Sequence, residues 1–124
     1  MDCPCFSGKS YTDCCQPYHT KQKNAPTPQA LMRSRYSAFA THNADYLMNT
    51  TLPAKRKFHD KQDLLDWAVE NTWTNLEIVD TAPNIVEFKA YFTDKNGIAQ
   101  IQQERSRFQK MSDRWFYVDG IYND

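Results

Sequence analysis

Apolar and polar positions along the chain change period once, near Leu76. Before that point they recur at helical spacing. Thr27 suits an N-cap and Pro28 a first helical position, and Gln29 to Ala40 then sets Met32, Tyr36 and Phe39 at i, i+4 and i+7. Asn43 is a second N-cap, for a short helix through Ala44, Tyr46, Leu47 and Met48. A third helix is predicted from Asp60 to about Thr72, with Leu64, Leu65, Ala68 and Val69 as its apolar stripe and Lys61, Asp63, Asp66 and Glu70 on its wet side. The period then becomes two. Val86, Phe88, Ala90 and Phe92 alternate with Glu87, Lys89 and Tyr91, as in a half-buried strand, and Asp94-Lys95-Asn96-Gly97 reads as a hairpin turn. Ile98 to about Gln109 is the returning strand, Arg114 to Asp119 a further one, and Leu76 to Thr81 the first.

Helices first and antiparallel strands after, without alternation, predict an α+β domain in which about three helices cover one face of a curved sheet. Residues 1–23 break this pattern. Beyond the initiator their only bulky apolar side chains are Phe6, Tyr11 and Tyr18, too few to bury a core, and so short a segment needs a metal, a disulfide or a partner to fold. Asn24-Ala25-Pro26-Thr27-Pro28 reads as a linker. The expected organisation is a small N-terminal unit at 1–23, a linker at 24–28 and an α+β domain at 29–124.

Charge and composition exclude more than they assign. Fifteen basic against fifteen acidic residues remove the electrostatic case for a dedicated nucleic-acid or membrane-surface binder. Three glycines, at 8, 97 and 120, rule out the glycine-rich phosphate loops of nucleotide-binding folds. The longest apolar run is Trp115 to Val118, so neither a membrane helix nor a signal-peptide core is present, and a soluble, cytoplasmic protein is expected.

All four cysteines fall at Cys3, Cys5, Cys14 and Cys15. Two short segments supplying four sulfurs can build a tetrahedral thiolate site, and zinc suits it, one structural ion per chain. Ser7-Gly8 offers the tight turn between the pairs. Other readings are disulfides, opposed by the strain of bonding adjacent Cys14 and Cys15 and by a reducing compartment, a redox-active Cys3/Cys5 pair, and His19 replacing one sulfur.

CPCFSGKSYTDCCQPYH resembles the SEC-C zinc motif, a CxCxSGxxYxxCC pattern known from the tail of the preprotein translocase motor. Cys3, Cys5, Ser7, Gly8, Tyr11, Cys14 and Cys15 all match it. LMRSRYSAFATHNADYL (Leu31 to Leu47), ERSRF (Glu104 to Phe108) and WFYVDG (Trp115 to Gly120) resemble the YchJ family of bacterial proteins. The resemblance implies a zinc-binding SEC-C motif on a nuclear-transport-factor-two-like domain, a cone of helices against a curved sheet. In the translocase motor the similar motif contacts a chaperone, which implies a protein or ribosomal partner here, with Phe6, Lys9, Tyr11 and Tyr18 as the docking surface. There are two departures. Many members carry a second SEC-C motif after the sheet, whereas this chain stops at Asp124. They also read TWHP where this chain has Thr50-Thr51-Leu52-Pro53, so no role of that Trp-His pair carries over.

In the main domain Glu104 is read as a pocket acid facing Arg33 or Arg35 of the first long helix, or else as half of an ion pair tying helix to sheet. Asp119-Gly120 reads as a turn at a strand end. His42 and His59 lie in polar, loop-like stretches, Lys55-Arg56-Lys57 reads as solvated surface, and Trp67, Trp73 and Trp115 as core or interface rather than a base-stacking platform. Two functions follow. The preferred one is a non-catalytic adaptor whose zinc knob docks on a macromolecule while the larger domain positions it or forms a homodimer. The alternative is an enzyme or small-ligand binder using the cone's interior, which a polar-lined pocket near Glu104 would favour and a filled interior would oppose.

Overall fold

The structure is a computed structural model and describes residues 1–123. A 3₁₀ turn at Tyr11–Asp13 and helix α1 (Gln16–His19) form the N-terminal knob. Helices α2 (Pro28–Ala40) and α3 (Ala44–Asn49), a 3₁₀ segment at Pro53–Phe58 and helix α4 (Lys61–Glu70) follow. Strands β1 (Thr72–Ala82), β2 (Ile85–Thr93), β3 (Ala99–Met111) and β4 (Arg114–Asn123) complete the chain as an antiparallel meander in the order β1-β2-β3-β4.

Local chemistry explains where the helices start. Thr27 Oγ1 accepts from Ala30 N–H and Pro28 occupies the first turn of α2. Asn43 Oδ1 accepts from Tyr46 N–H and Asp60 Oδ1 from Asp63 N–H, each at 3.0 Å, at the heads of α3 and α4. Helix α4 stops at Glu70, short of the expected Thr72. Asn71 Nδ2 donates to Trp67 O and Trp73 Nε1 to Ala68 O, which occupies the terminal carbonyls and turns the chain into β1. The α4 stripe is narrower than expected: Leu64 and Ala68 face inward, whereas Val69 is 56% exposed.

The alternation read in β2 is present, with Val86, Phe88, Ala90 and Phe92 buried on the helix-covered face. Register shifts at Trp73/Asn75, Ile78/Asp80 and Arg107/Phe108 add bulges that curve the sheet around α2. Leu31, Met32, Tyr36 and Leu47 pack with Val86, Phe88 and Phe108 between the layers. Burial of this kind contributes roughly 1.5–3 kcal/mol per large apolar side chain.

Helix α2 is covered on more than its apolar side. Ser34, Arg35 and Ser37 are also buried, since the knob packs against one side of the helix and α3 with β4 against another. A period-based reading assigns one wet face to such a helix. Here that face is taken up by tertiary contacts. Asp119-Gly120, read as a turn, lies inside β4, where Gly120 pairs with Ser106 and Asp119 with Arg107.

Candidate metal centre and ligand cavity

The knob folds around its sulfurs. Cys3 N–H donates to Lys9 O, Phe6 N–H to Cys3 O and Cys14 N–H to Tyr11 O, and Gly8 turns the chain at φ 88°. These bonds bring Cys3, Cys5, Cys14 and Cys15 together, all four Sγ atoms lying within 4.8 Å of one another. Cys5 Sγ is 3.5 Å from Cys14 Sγ and Cys14 Sγ is 3.9 Å from Cys15 Sγ. A tetrahedron with Zn–S bonds of about 2.3 Å has edges of about 3.8 Å. The spacing therefore fits one shared metal ion better than pairwise bonding, for which sulfurs approach to about 2.05 Å.

Without an ion the four sulfurs share protons unevenly. Cys15 is pushed up, first by its hydrogen bonds with Cys3 and Cys5 and then by burial, while Cys5 is drawn down by thiol donation from Cys15 and Cys3. Four crowded sulfurs cannot all ionise beside one another unless a positive ion balances them. Ser7 Oγ lies 3.2 Å from Cys14 Sγ, the one ligand that is not buried, and can donate to its thiolate. The residues present thus fit a closed tetrathiolate site, whose ion would supply cross-linking rather than reactivity.

His19 is not a fifth candidate. Its Nδ1 accepts from Tyr11 Oη at 2.7 Å and its Nε2 lies 2.8 Å from Ser34 O and 3.1 Å from Ser37 Oγ. Burial lowers its pKa, which favours the neutral ring, and the Ser34 carbonyl, which can only accept, places the proton on Nε2. The ring, tilted against Tyr46 with centroids 4.7 Å apart, therefore pins the knob to α2.

The residues expected to form a docking surface divide. Lys9 is exposed, and Phe6 is 45% exposed although its edge meets Tyr36. Tyr11 is committed to His19 and Tyr18 packs against the main core. Of the three residues assigned to a pocket, Arg33 belongs to the knob instead: its Nη1 donates to Cys5 O at 3.1 Å. Two positions along a helix turn a side chain through about 200°, so Arg33 and Arg35 leave α2 in opposite directions.

Arg35 and Glu104 do share a cavity, of about 290 Å³, between α2, α4 and the sheet. Arg35 is 6% exposed and Glu104 5%. Arg35 Nη1 donates to Leu47 O at 2.9 Å and to Thr50 Oγ1 at 2.7 Å, and the guanidinium lies 4.4 Å from the centroid of Tyr117. Tyr117 Oη donates to Glu104 Oε2 at 3.2 Å, and Ser106 Oγ donates to the same oxygen. Tyr117 thus stands between the two charges, and the ion pair tying helix to sheet is not formed. Burial, followed by the Glu104 charge, raises the Tyr117 phenol and keeps it a donor. The aromatic walls include Tyr36, Phe39, Trp67 and Trp73.

Four participants escape a reading of the sequence. His59, expected on the surface, lines the cavity, because the 3₁₀ segment folds back under β4 and Leu52 N–H bonds to Tyr117 O. Thr50 and Thr51 are buried with their hydroxyls at the Arg35 guanidinium. Gly120 has the Glu104 carboxylate where a Cβ would stand. A glycine inside an apolar strand pattern is the signal that could have found it.

Residues 27–120 match the family described as YchJ, middle NTF2-like domain. A UPF0225 protein from Actinobacillus succinogenes is 42% identical over 124 residues, covering 95% of this chain and 80% of the relative. The chain belongs to the YchJ family. Another UPF0225 protein, from Deinococcus radiodurans, is 42% identical over 122 residues and is covered to 87%. Among solved structures, a SEC-C motif containing protein from Rhodopseudomonas palustris superimposes with a TM-score of 0.90 at 38% identity over 100% of both chains. A sec-c motif containing protein from Psychrobacter arcticus gives 0.80 at 33% identity, covering 98% of this chain and 82% of the other. The YchJ resemblance and its α+β fold with an N-terminal SEC-C cysteine cluster therefore hold. Among the described residues no helix is long and apolar enough to cross a membrane.

Proposed function

We propose that this YchJ-family chain is a small-ligand-binding protein whose cone-shaped cavity is braced by a zinc-bound SEC-C knob. One observation carries the reading: Arg35 and Glu104, both more than nine-tenths buried, line one aromatic cavity without pairing with each other. Burying two charges costs several kcal/mol per ion unless partners compensate them. All of Arg35's hydrogen bonds leave from Nη1, so its other edge remains for a ligand, while Glu104 takes Ser106 and Tyr117 at Oε2 and has the Tyr122 phenol beside it at the cavity wall. A small aromatic compound with an anionic end for Arg35 and a donor for Glu104 fits these walls. Zinc is the ion proposed for the knob because four thiolates with no open position suit a closed structural site.

The test is a thermal-shift and tryptophan-fluorescence titration of the zinc-loaded protein with hydroxybenzoate and phenylacetate, beside Ala90→Phe, which fills the cavity from β2. Stabilisation in the wild type and none in the variant supports the reading. Equal responses in both would overturn it.

The adaptor reading keeps one observation of its own, the exposed Lys9 and Phe6 on the knob. It predicts a partner whose affinity falls with Lys9→Glu while the cavity variant binds normally.

A further inference from the structure

The seam between knob and main domain contains a second cleft, of about 350 Å³, beside Leu31 in the first turn of α2, one turn from Arg35 and the cavity. Lys21 and Lys23 reach it from the segment after α1, Arg56 from the 3₁₀ segment and Arg114 from the start of β4, and no carboxylate lines it. In a chain balanced at fifteen basic and fifteen acidic residues, four cations around one cleft are a local departure from neutrality. Among the described residues none of the four takes part in a salt bridge; the four salt bridges use Lys61, Arg105 and Arg107.

Two of the four are held in place without being neutralised. Arg56 Nε donates to Thr51 O at 3.0 Å and its Nη2 to Asn49 O at 3.1 Å. Carbonyl acceptors orient the guanidinium and leave its unit charge intact. Arg114 lies over the ring of Phe116, 4.8 Å from its centroid. Trp115, fixed by its Nε1–H to Pro26 O, and Tyr18 supply flat apolar wall beside them. The volume falls at the lower end of small-molecule sites, about 300–1,000 Å³.

We propose that this cleft binds a phosphate-bearing small molecule of nucleotide size, its phosphates among Arg56, Arg114, Lys21 and Lys23 and its flat moiety against Trp115 and Tyr18. One carboxylate satisfies a single arginine fork. Four cations around one cleft match a group with at least two negative charges and several acceptor oxygens, which phosphate esters and pyrophosphates provide. The site does not depend on the cavity reading, since the two share no lining residue.

The experiment is an NMR titration of the full zinc-loaded chain with sodium pyrophosphate, with adenosine diphosphate and with citrate. The signals followed are the Trp115 indole N–H and the Arg56 and Arg114 Nε–H. Expected are saturable shifts with both phosphates, adenosine diphosphate binding at least as tightly as pyrophosphate, and affinity falling tenfold or more in Arg114→Gln and in Lys23→Gln. Neither variant removes a hydrogen bond of the fold, and Lys95→Gln, in the remote β2–β3 turn, should bind as wild type. Linear, non-saturating shifts, citrate binding as tightly as pyrophosphate, or unchanged affinity in both cleft variants would overturn the proposal. So would an oligouridylate series binding more tightly with each added residue, which would assign the cleft to nucleic acid.

Discussion

Gly120 lies across the sheet from Ser106, and the Glu104 carboxylate fills the place that a side chain at position 120 would need. Two residues on neighbouring strands thus share one volume. Gly120→Ala should destabilise the fold by about 1–3 kcal/mol through overpacking. Glu104→Ala should remove most of that cost. Urea unfolding of both single variants and the double variant checks this: a double-variant midpoint at the sum of the two single losses would contradict the shared volume.

Metal content tests the knob. Purified protein should carry one zinc ion per chain, and Cys14→Ser should carry markedly less. Structural zinc contributes about 10–16 kcal/mol in zinc-finger peptides, so chelation should release residues 1–23 from exchange protection while β2 and β3 amides stay protected. Metal-free protein with an intact knob and a disulfide between its cysteines would contradict the site.

His19→Ala removes the two polar contacts from the knob to Ser34 and Ser37 of α2, and with them the Tyr11 hydroxyl's partner inside the knob. The carbonyl of Ser34 keeps the Ser37 hydroxyl as a side-chain donor, so the cost is that of an ordinary hydrogen bond, about 0.5–1.5 kcal/mol, rather than of an orphaned buried acceptor. Zinc content should be unchanged, because no ligand is touched. Zinc lost in proportion to His19 would make the histidine a ligand rather than a pin.

The pH dependence of stability should carry the signature of His59. Burial, and then the Arg35 charge, lowers its pKa below the ordinary 6.5. The unfolded chain therefore binds the proton more readily, and the neutral ring's contribution is complete above pH 6.5 and lost as pH falls toward the lower folded value. His59→Gln should flatten the stability curve across that interval. An unchanged slope would place His59 in solvent.

How much of this was legible depended on the range of the interaction. The caps at Thr27 and Asn43, the helical spacing after Asp60 and the alternation of Val86 to Phe92 are local, and they locate three helices and a strand, the third helix beginning one residue later and ending two residues earlier than expected. The four cysteines were legible for a different reason: a metal site gathers its ligands from short segments. Arg35 and Glu104 were named without their geometry. Thr50 and Thr51 were passed over because two adjacent threonines carry no periodicity, and only the fold puts their hydroxyls beside a buried guanidinium. Val69 shows the limit of the stripe argument, since α4 packs against α2 and α3 through a narrower face that takes Leu64 and Ala68 and leaves Val69 exposed.

Ser34 and Arg35 are neighbours in α2, yet the carbonyl of one receives the knob's histidine and the guanidinium of the other enters the cavity. The helix is a party wall with a tenant on either side. Taking the knob away would uncover Ser34 and Ser37, which are fully buried with it in place. Substitutions along α2 therefore answer to two neighbours at once, which makes this helix the place where drift should be slowest.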